Sequence, residues 1–206
     1  MFDDTYKTIT NAAEGIYKDK GSKFIAYLYP VKTEGEIKEH ITHLKKEHHS
    51  ARHHCYAYRL QADKSVYRAN DDGEPAGTAG RPILGQIQSH DLTDILIVVV
   101  RYFGGTLLGV PGLIKAYKAA ALDAINKAEM VVKTIDFTYQ ISCTYEQLND
   151  VMRIIKQENL VVLKQESDLD IKVSIEIRKS ILEKVIALFR KLEVGVEVVE
   201  WVYWGD

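Results

Sequence analysis

The chain's 206 residues suffice for one large domain or two small ones, each burying its own core. Hydrophobic and charged fractions of 46% and 27% are ordinary for a water-soluble globular protein. A formal charge of −2, with 17 Lys+Arg against 16 Asp+Glu in the first 130 residues and 10 against 13 thereafter, excludes a globally basic nucleic-acid binder and leaves only a local stripe for that role.

In chain order, Ala13 to Tyr17 and Lys23 to Tyr29 read as two strands around a polar turn containing Gly21, and Pro30 ends the second. Glu34 to His48 places Ile37, Ile41, Leu44 and His48 on one side of an amphipathic helix that begins after Thr33. Arg52 to Leu60 alternates as a strand, with His53, Cys55, Ala57 and Arg59 on one face and His54, Tyr56, Tyr58 and Leu60 on the other. Ser65 to Ala69 is a candidate hairpin partner for it. Asn70 to Pro82, rich in Gly, Pro and acids and without apolar periodicity, is a loop. Pro82 suits the first turn of a short helix with Ile83, Leu84 and Ile87 inward and Gln86, Gln88 and Ser89 outward. Ile95 to Val100 is an unbroken apolar, mostly β-branched run, too short for a membrane span, and predicts a strand buried on both faces. A glycine loop follows, then a helix from about Pro111 to Glu129.

After Met130 the pattern changes. Strands are predicted at Thr134 to Thr144, Leu160 to Gln165, Asp170 to Arg178 and Val194 to Trp201, with helices at Tyr145 to Glu158 and Ser180 to Leu192. The order β-α-β-β-α-β is the ferredoxin-like plan. The reading is therefore an α+β chain of two domains, 1–130 and 131–206, joined near Ala128 to Lys133 with hardly any linker and in contact with each other. Cys55 and Cys143, the two cysteines, are expected as reduced core residues rather than a disulfide framework. The absence of a signal pattern at the N-terminus and of an 18-residue apolar run predicts a cytoplasmic protein with no membrane partner.

Chemistry concentrates at Arg101-Tyr102-Phe103-Gly104-Gly105, Gly109 and Pro111-Gly112. The stretch ends at a helix N-terminus, where free N–H groups favour anions. It is neither a P-loop nor a dinucleotide fingerprint. Adjacent glycines admit close approach of either a ligand or another chain segment. Arg101, a charge at the mouth of an apolar strand, favours recognition. Asp71, Asp72 and Glu74 lack EF-hand spacing and read first as solvated turn formers, so no metal is assigned. Thr78 either caps the following helix or faces a ligand. His40, His43, His48, His49, His53 and His54 cluster without zinc spacing and read as structural or surface residues, His53 excepted because it shares a strand face with Cys55. A Ser22, His53 and Asp71 or Glu74 triad can be written down but lacks a nucleophile elbow, and Cys55 with His53 is no stronger. No catalytic residue and no cofactor is assigned. The Tyr and Arg residues of the 56–60 and 66–70 stretches, with Arg68 and Arg81, are compatible with stacking on RNA and equally with cross-strand packing.

Four segments carry a resemblance to the IMPACT/YigZ family: Gly21-Ser22-Lys23-Phe24; His53-x-Cys55-Tyr56-Ala57-Tyr58; Asp72-Gly73-Glu74-Pro75 with Gly77-Thr78-Ala79-Gly80; and Val98-Val99-Val100-Arg101-Tyr102-Phe103-Gly104-Gly105-x-x-Leu108-Gly109. They span roughly Gly21 to Ala128, and His54 stands where many members have Asn. The resemblance implies an N-terminal domain with the fold of ribosomal protein S5 domain 2. It implies a ferredoxin-like C-terminal domain, a pair that looks like the last two domains of translocating elongation factors. Eukaryotic relatives regulate translation under amino-acid starvation. Their RWD-type domain is not among these residues, so their partner interaction is not carried over.

The resulting expectation is a non-enzymatic regulator linked to translation or stress response, binding RNA, the ribosome or a translation-associated protein. Its binding surface is expected at Ser22, His53, Asp71, Asp72, Glu74, Thr78, Arg81, Arg101, Tyr102, Gly104 and Gly105. Two alternatives stand beside it. One is a hydrolase-type enzyme acting on a small anionic substrate in the same cleft. The other is a protein-interaction scaffold, with Trp201, Tyr203 and Trp204 as anchors and homo-oligomerisation open.

Overall fold

The computed structural model describes residues 4–200. Chain contacts divide them into two compact units: one is Tyr6–Lys133, and the other joins Asp4 and Thr5 to residues 134–200. Trp201, Tyr203 and Trp204 lie outside the described residues.

In the first unit, β1 (Thr5–Ile9) precedes a hairpin of β2 (Ala13–Asp19) and β3 (Ser22–Pro30). Lys20 and Gly21 form its two-residue turn with φ of 44° and 80°, the doubly left-handed turn that matches strand twist. Helix α1 (Glu34–Glu47) opens with a reciprocal capping box between Thr33 and Glu36. Then follow β4 (His53–Leu60), β5 (Val66–Asn70), α2 (Gly80–Ser89), β6 (Ile95–Tyr102), α3 (Gly109–Lys127) and β7 (Met130–Thr134).

Five strands form an antiparallel sheet in the order β2-β3-β6-β4-β5. β6 is central, and this explains its unbroken apolar run. Ile95, Ile97 and Val99 enter a core with α2 and α3, while Leu96, Val98 and Val100 enter a second core with Ile37 and Leu44 of α1. α3 lies close on the sheet because its inward face is Ala116, Ala120, Ala121 and Ala124. At Gly15 of β2 a Cβ would come within 2.3 Å of Ala124 N, so only glycine fits there.

Two local expectations change. Gln86 is buried rather than outward, because α2 is covered on more of its circumference than its apolar residues indicate. The expected junction is itself strand: Met130–Thr134 pairs with β1, and neither strand was anticipated. Each has five residues, and their pairing spans most of the unit's sequence, so no local pattern announces it.

The second unit runs β8 (Asp136–Cys143), α4 (Leu148–Gln157), β9 (Val161–Ser167), β10 (Ile171–Arg178), α5 (Leu182–Arg190) and β11 (Gly195–Glu200). Its antiparallel sheet has the order β11-β8-β10-β9, the ferredoxin-like arrangement. Ile141, Val173, Ile175 and Ile177 pack against Val151 of α4 and Val185 and Phe189 of α5. The helix expected from Ser180 begins as a single 3₁₀ turn over Lys179–Ile181. No helix among the described residues is long and apolar enough to cross a membrane.

Candidate functional site

The 71–79 loop is built around one carboxylate. Asp71 Oδ2 accepts the Gly77 N–H at 2.8 Å, and Oδ1 accepts those of Ala79 and Gly80 at 3.0 and 2.8 Å. Burial pushes this carboxyl up, but the three amides outweigh it and hold it below the usual range. Asp72 faces the strand ends: its Oδ2 accepts the His54 N–H at 2.7 Å, and its Oδ1 meets Lys45 Nζ at 3.2 Å. Its carbonyl accepts His53 Nδ1–H at 2.8 Å, which fixes the proton on that nitrogen. Thr78 neither caps α2, whose N-cap is Ala79, nor reaches the surface. It is 1% exposed, and its hydroxyl donates to the Pro75 carbonyl at 2.7 Å.

Arg101 is not a free charge. It lies directly opposite Phe24 on β3 and His53 on β4, so the three side chains form a row on the α3 side of the sheet. Its Nη1 donates to Glu74 Oε1 at 2.6 Å, with both side chains almost fully buried. The same carboxylate oxygen accepts the Tyr117 hydroxyl at 2.8 Å, and that hydroxyl accepts from Cys55 Sγ at 3.3 Å. The guanidinium carbon is 5.5 Å from the Phe24 ring centroid and 5.6 Å from that of Phe103. Burial pushes the Cys55 thiol and the Tyr117 hydroxyl well up, so both stay protonated.

Beside this row opens a cleft of about 370 Å³. Its polar lining is Arg52, His53 and the Glu74–Arg101 pair. Pro75, Phe103, Leu107, Leu108 and Leu113 supply its apolar lining, and Gly109 and Val110 at the start of α3 line it too. Leu107 is 82% exposed, which is unusual for a leucine whose neighbours are also apolar.

The expected residues therefore divide. His53, Glu74 and Arg101 line the cleft. Asp71 and Thr78 hold the loop from within, and Arg81 is exposed on the first turn of α2. Ser22 is buried, and its Oγ accepts the Gly104 N–H at 3.1 Å. Gly104 is glycine because a Cβ would fall 1.9 Å from the Gly21 carbonyl carbon; the close approach is to another chain segment. Gly105 has φ of 85° and open space around it. Tyr102 points to the opposite sheet face, where its hydroxyl meets His48 Nδ1 at 2.8 Å while Tyr27 meets Nε2 at 2.7 Å. The residues not foreseen are Arg52 and the apolar walls. Two adjacent leucines inside a glycine loop, Leu107 and Leu108, were the available signal. Among the described residues no three His, Cys, Asp or Glu side chains are grouped to hold a metal ion.

Residues 20–125 match the Impact N-terminal domain. The chain is 35% identical over 158 residues to IMPACT family member YvyE of Bacillus subtilis, covering 77% of this chain and 73% of that protein. It is 39% identical over 140 residues to IMPACT family member YigZ of Escherichia coli, covering 67% and 69%. A crystal structure of a hypothetical protein superposes with a TM-score of 0.71 at 28% identity, covering 96% of this chain and 98% of the other.

Proposed function

The chain belongs to the IMPACT family, and from that premise we propose that it is a non-enzymatic regulator linked to translation or stress response, which binds a translation-associated protein through the cleft of its first unit. The carrying observation is the cleft itself: an apolar lining with Leu107 and Phe103 exposed, beside Arg52, which makes no ion pair among the described residues, while Glu74 already offsets Arg101. Such a surface suits a protein segment better than an RNA backbone, which calls for several free cations.

Three features weigh against the hydrolase alternative. Ser22 accepts a backbone N–H from Gly104. Strand register sets Ser22 and His53 on one sheet face with β6 between them, so at two strand spacings they stand roughly 10 Å apart, too far for proton transfer. The Cys55 thiol is buried and held protonated.

The test is co-sedimentation of the full chain with ribosomes, wild type against Arg52→Glu and Leu107→Ser. Arg101→Glu is unsuitable, because it would bury two carboxylates face to face. Wild type is expected in the ribosomal pellet and both variants are expected to be depleted from it, with a shallow salt dependence. Equal pelleting of all three refutes the cleft as the binding surface, and a steep fall with salt points to RNA phosphates instead.

A further inference from the structure

We propose that the cleft captures the C-terminal carboxylate of a peptide chain whose last residue is aliphatic. This rests on the cleft being the docking site of a protein partner, and it adds which part of that partner enters.

The polar part of the lining suits an anion. Helix α3 begins at Gly109, its N-cap Leu108 supplies no side-chain hydrogen bond, and Gly109 and Val110 both line the cleft. The N–H groups of Gly109 and Val110, in the first turn, have no partner within the helix, and Pro111 at the same turn has none to offer. Arg101 supplies an independent sign. It lines the cleft while only 6% exposed, and its Nε has no hydrogen-bond partner although Nη1 is paired with Glu74. Exposed Arg52 brings a full charge to the same cleft.

The net charge of the lining calls for an anion. Glu74 offsets Arg101, which leaves Arg52 and about half a positive charge from the helix terminus. That total suits a single anionic group, and the apolar part of the lining favours a chain-end carboxylate, which carries an aliphatic side chain with it. Much of the remaining lining is apolar: Pro75, Phe103, Leu107, Leu108 and Leu113. Its volume of about 370 Å³ lies at the small end of ligand pockets, enough for a chain end and one aliphatic side chain. Glu74 is the one acid on its lining and is already bonded to Arg101 and Tyr117. An ammonium group therefore finds no counter-charge, which favours an amide-linked chain end over a free amino acid. Carboxylate capture by backbone N–H groups is a known mode of peptide recognition.

The experiment is fluorescence anisotropy on the full chain with a labelled, flexible peptide ending in leucine. It is measured as the free acid and as the C-terminal amide, beside a labelled oligouridylate, with unlabelled leucine as competitor. The acid is expected to bind, and amidation to weaken it about tenfold through loss of a charge-assisted hydrogen bond. Arg52→Gln and Leu107→Ser, both exposed, are each expected to weaken the acid peptide by about the same factor, and free leucine to leave it in place. Equal affinity of acid and amide, no binding at millimolar peptide, displacement by free leucine, or tighter binding of the oligouridylate overturns the inference. If acid and amide bind alike while Arg52→Glu and Leu107→Ser lose ribosome co-sedimentation, chain-end capture falls and the docking reading stands. If neither variant changes co-sedimentation, both fall.

Discussion

His54 shows how one side chain links burial to stability. Its ring is buried on the α1 side of the sheet with Nδ1 3.8 Å from Asp72 Oδ2, and its Nε2 has no hydrogen-bond partner. Burial lowers its pKa below the ordinary 6.5, against the opposing pull of Asp72. The unfolded chain therefore takes up this proton first as pH falls, and the contribution of neutral His54 is complete above 6.5 and lost through the folded pKa. The urea midpoint of the wild type is expected to drop as pH falls from about 7.5 to about 5.5, and His54→Asn to flatten that drop. Parallel curves would refute the assignment. Arg101 teaches a different lesson at the same scale. As a sequence letter it is a charge at a strand mouth, but its partner Glu74 lies 27 residues earlier, so burial by pairing could not be read locally. Tyr102 follows it in sequence, but strand alternation sends successive side chains to opposite faces, and its hydroxyl meets His48 instead.

At the level of elements, β6 was legible because a strand covered on both faces must be apolar at every position, whereas β1 and β7 were not, because their pairing is long-range. The glycine loop was legible as a special backbone but not as to its reason. Its two central glycines answer to different constraints, and this separates them experimentally. Gly104→Ala drives a Cβ into the Gly21–Ser22 backbone and is expected to destabilise by about 3 kcal/mol or more, as severe overpacking does. Gly105→Ala meets no atom within 4 Å and pays for its positive φ alone, about 1 kcal/mol. Denaturant melts of the two variants measure the difference. Equal losses would show that the close approach at Gly104 does not exist. The cleft walls were the least legible part, because leucines in a loop resemble core residues until the fold leaves Leu107 in solvent.

Across the whole molecule, each unit carries one cysteine: Cys55 in the first and Cys143 in the second, both buried, with burial pushing both thiols up. Neither is expected to react with a thiol reagent at about pH 8 in the folded chain, and both are expected to react in denaturant. In a Cys55→Ala variant the labelling rate of Cys143 reports opening of the second unit alone. Rapid labelling of either thiol in the native protein would contradict its burial.

Strands β1 and β7 are neighbours, so the chain enters and leaves the first unit through adjacent strands. The second unit meanwhile reaches back to Asp4, whose carbonyl accepts the Ile135 N–H at 2.7 Å and whose carboxylate binds Arg178 Nε at 2.5 Å. In chain topology the first unit is a guest spliced into a host whose own sequence is interrupted. A fragment beginning at residue 134 would thus be a host missing its leading segment. A circular permutant that fuses residues 4–5 onto the host's other end would restore it as a continuous chain.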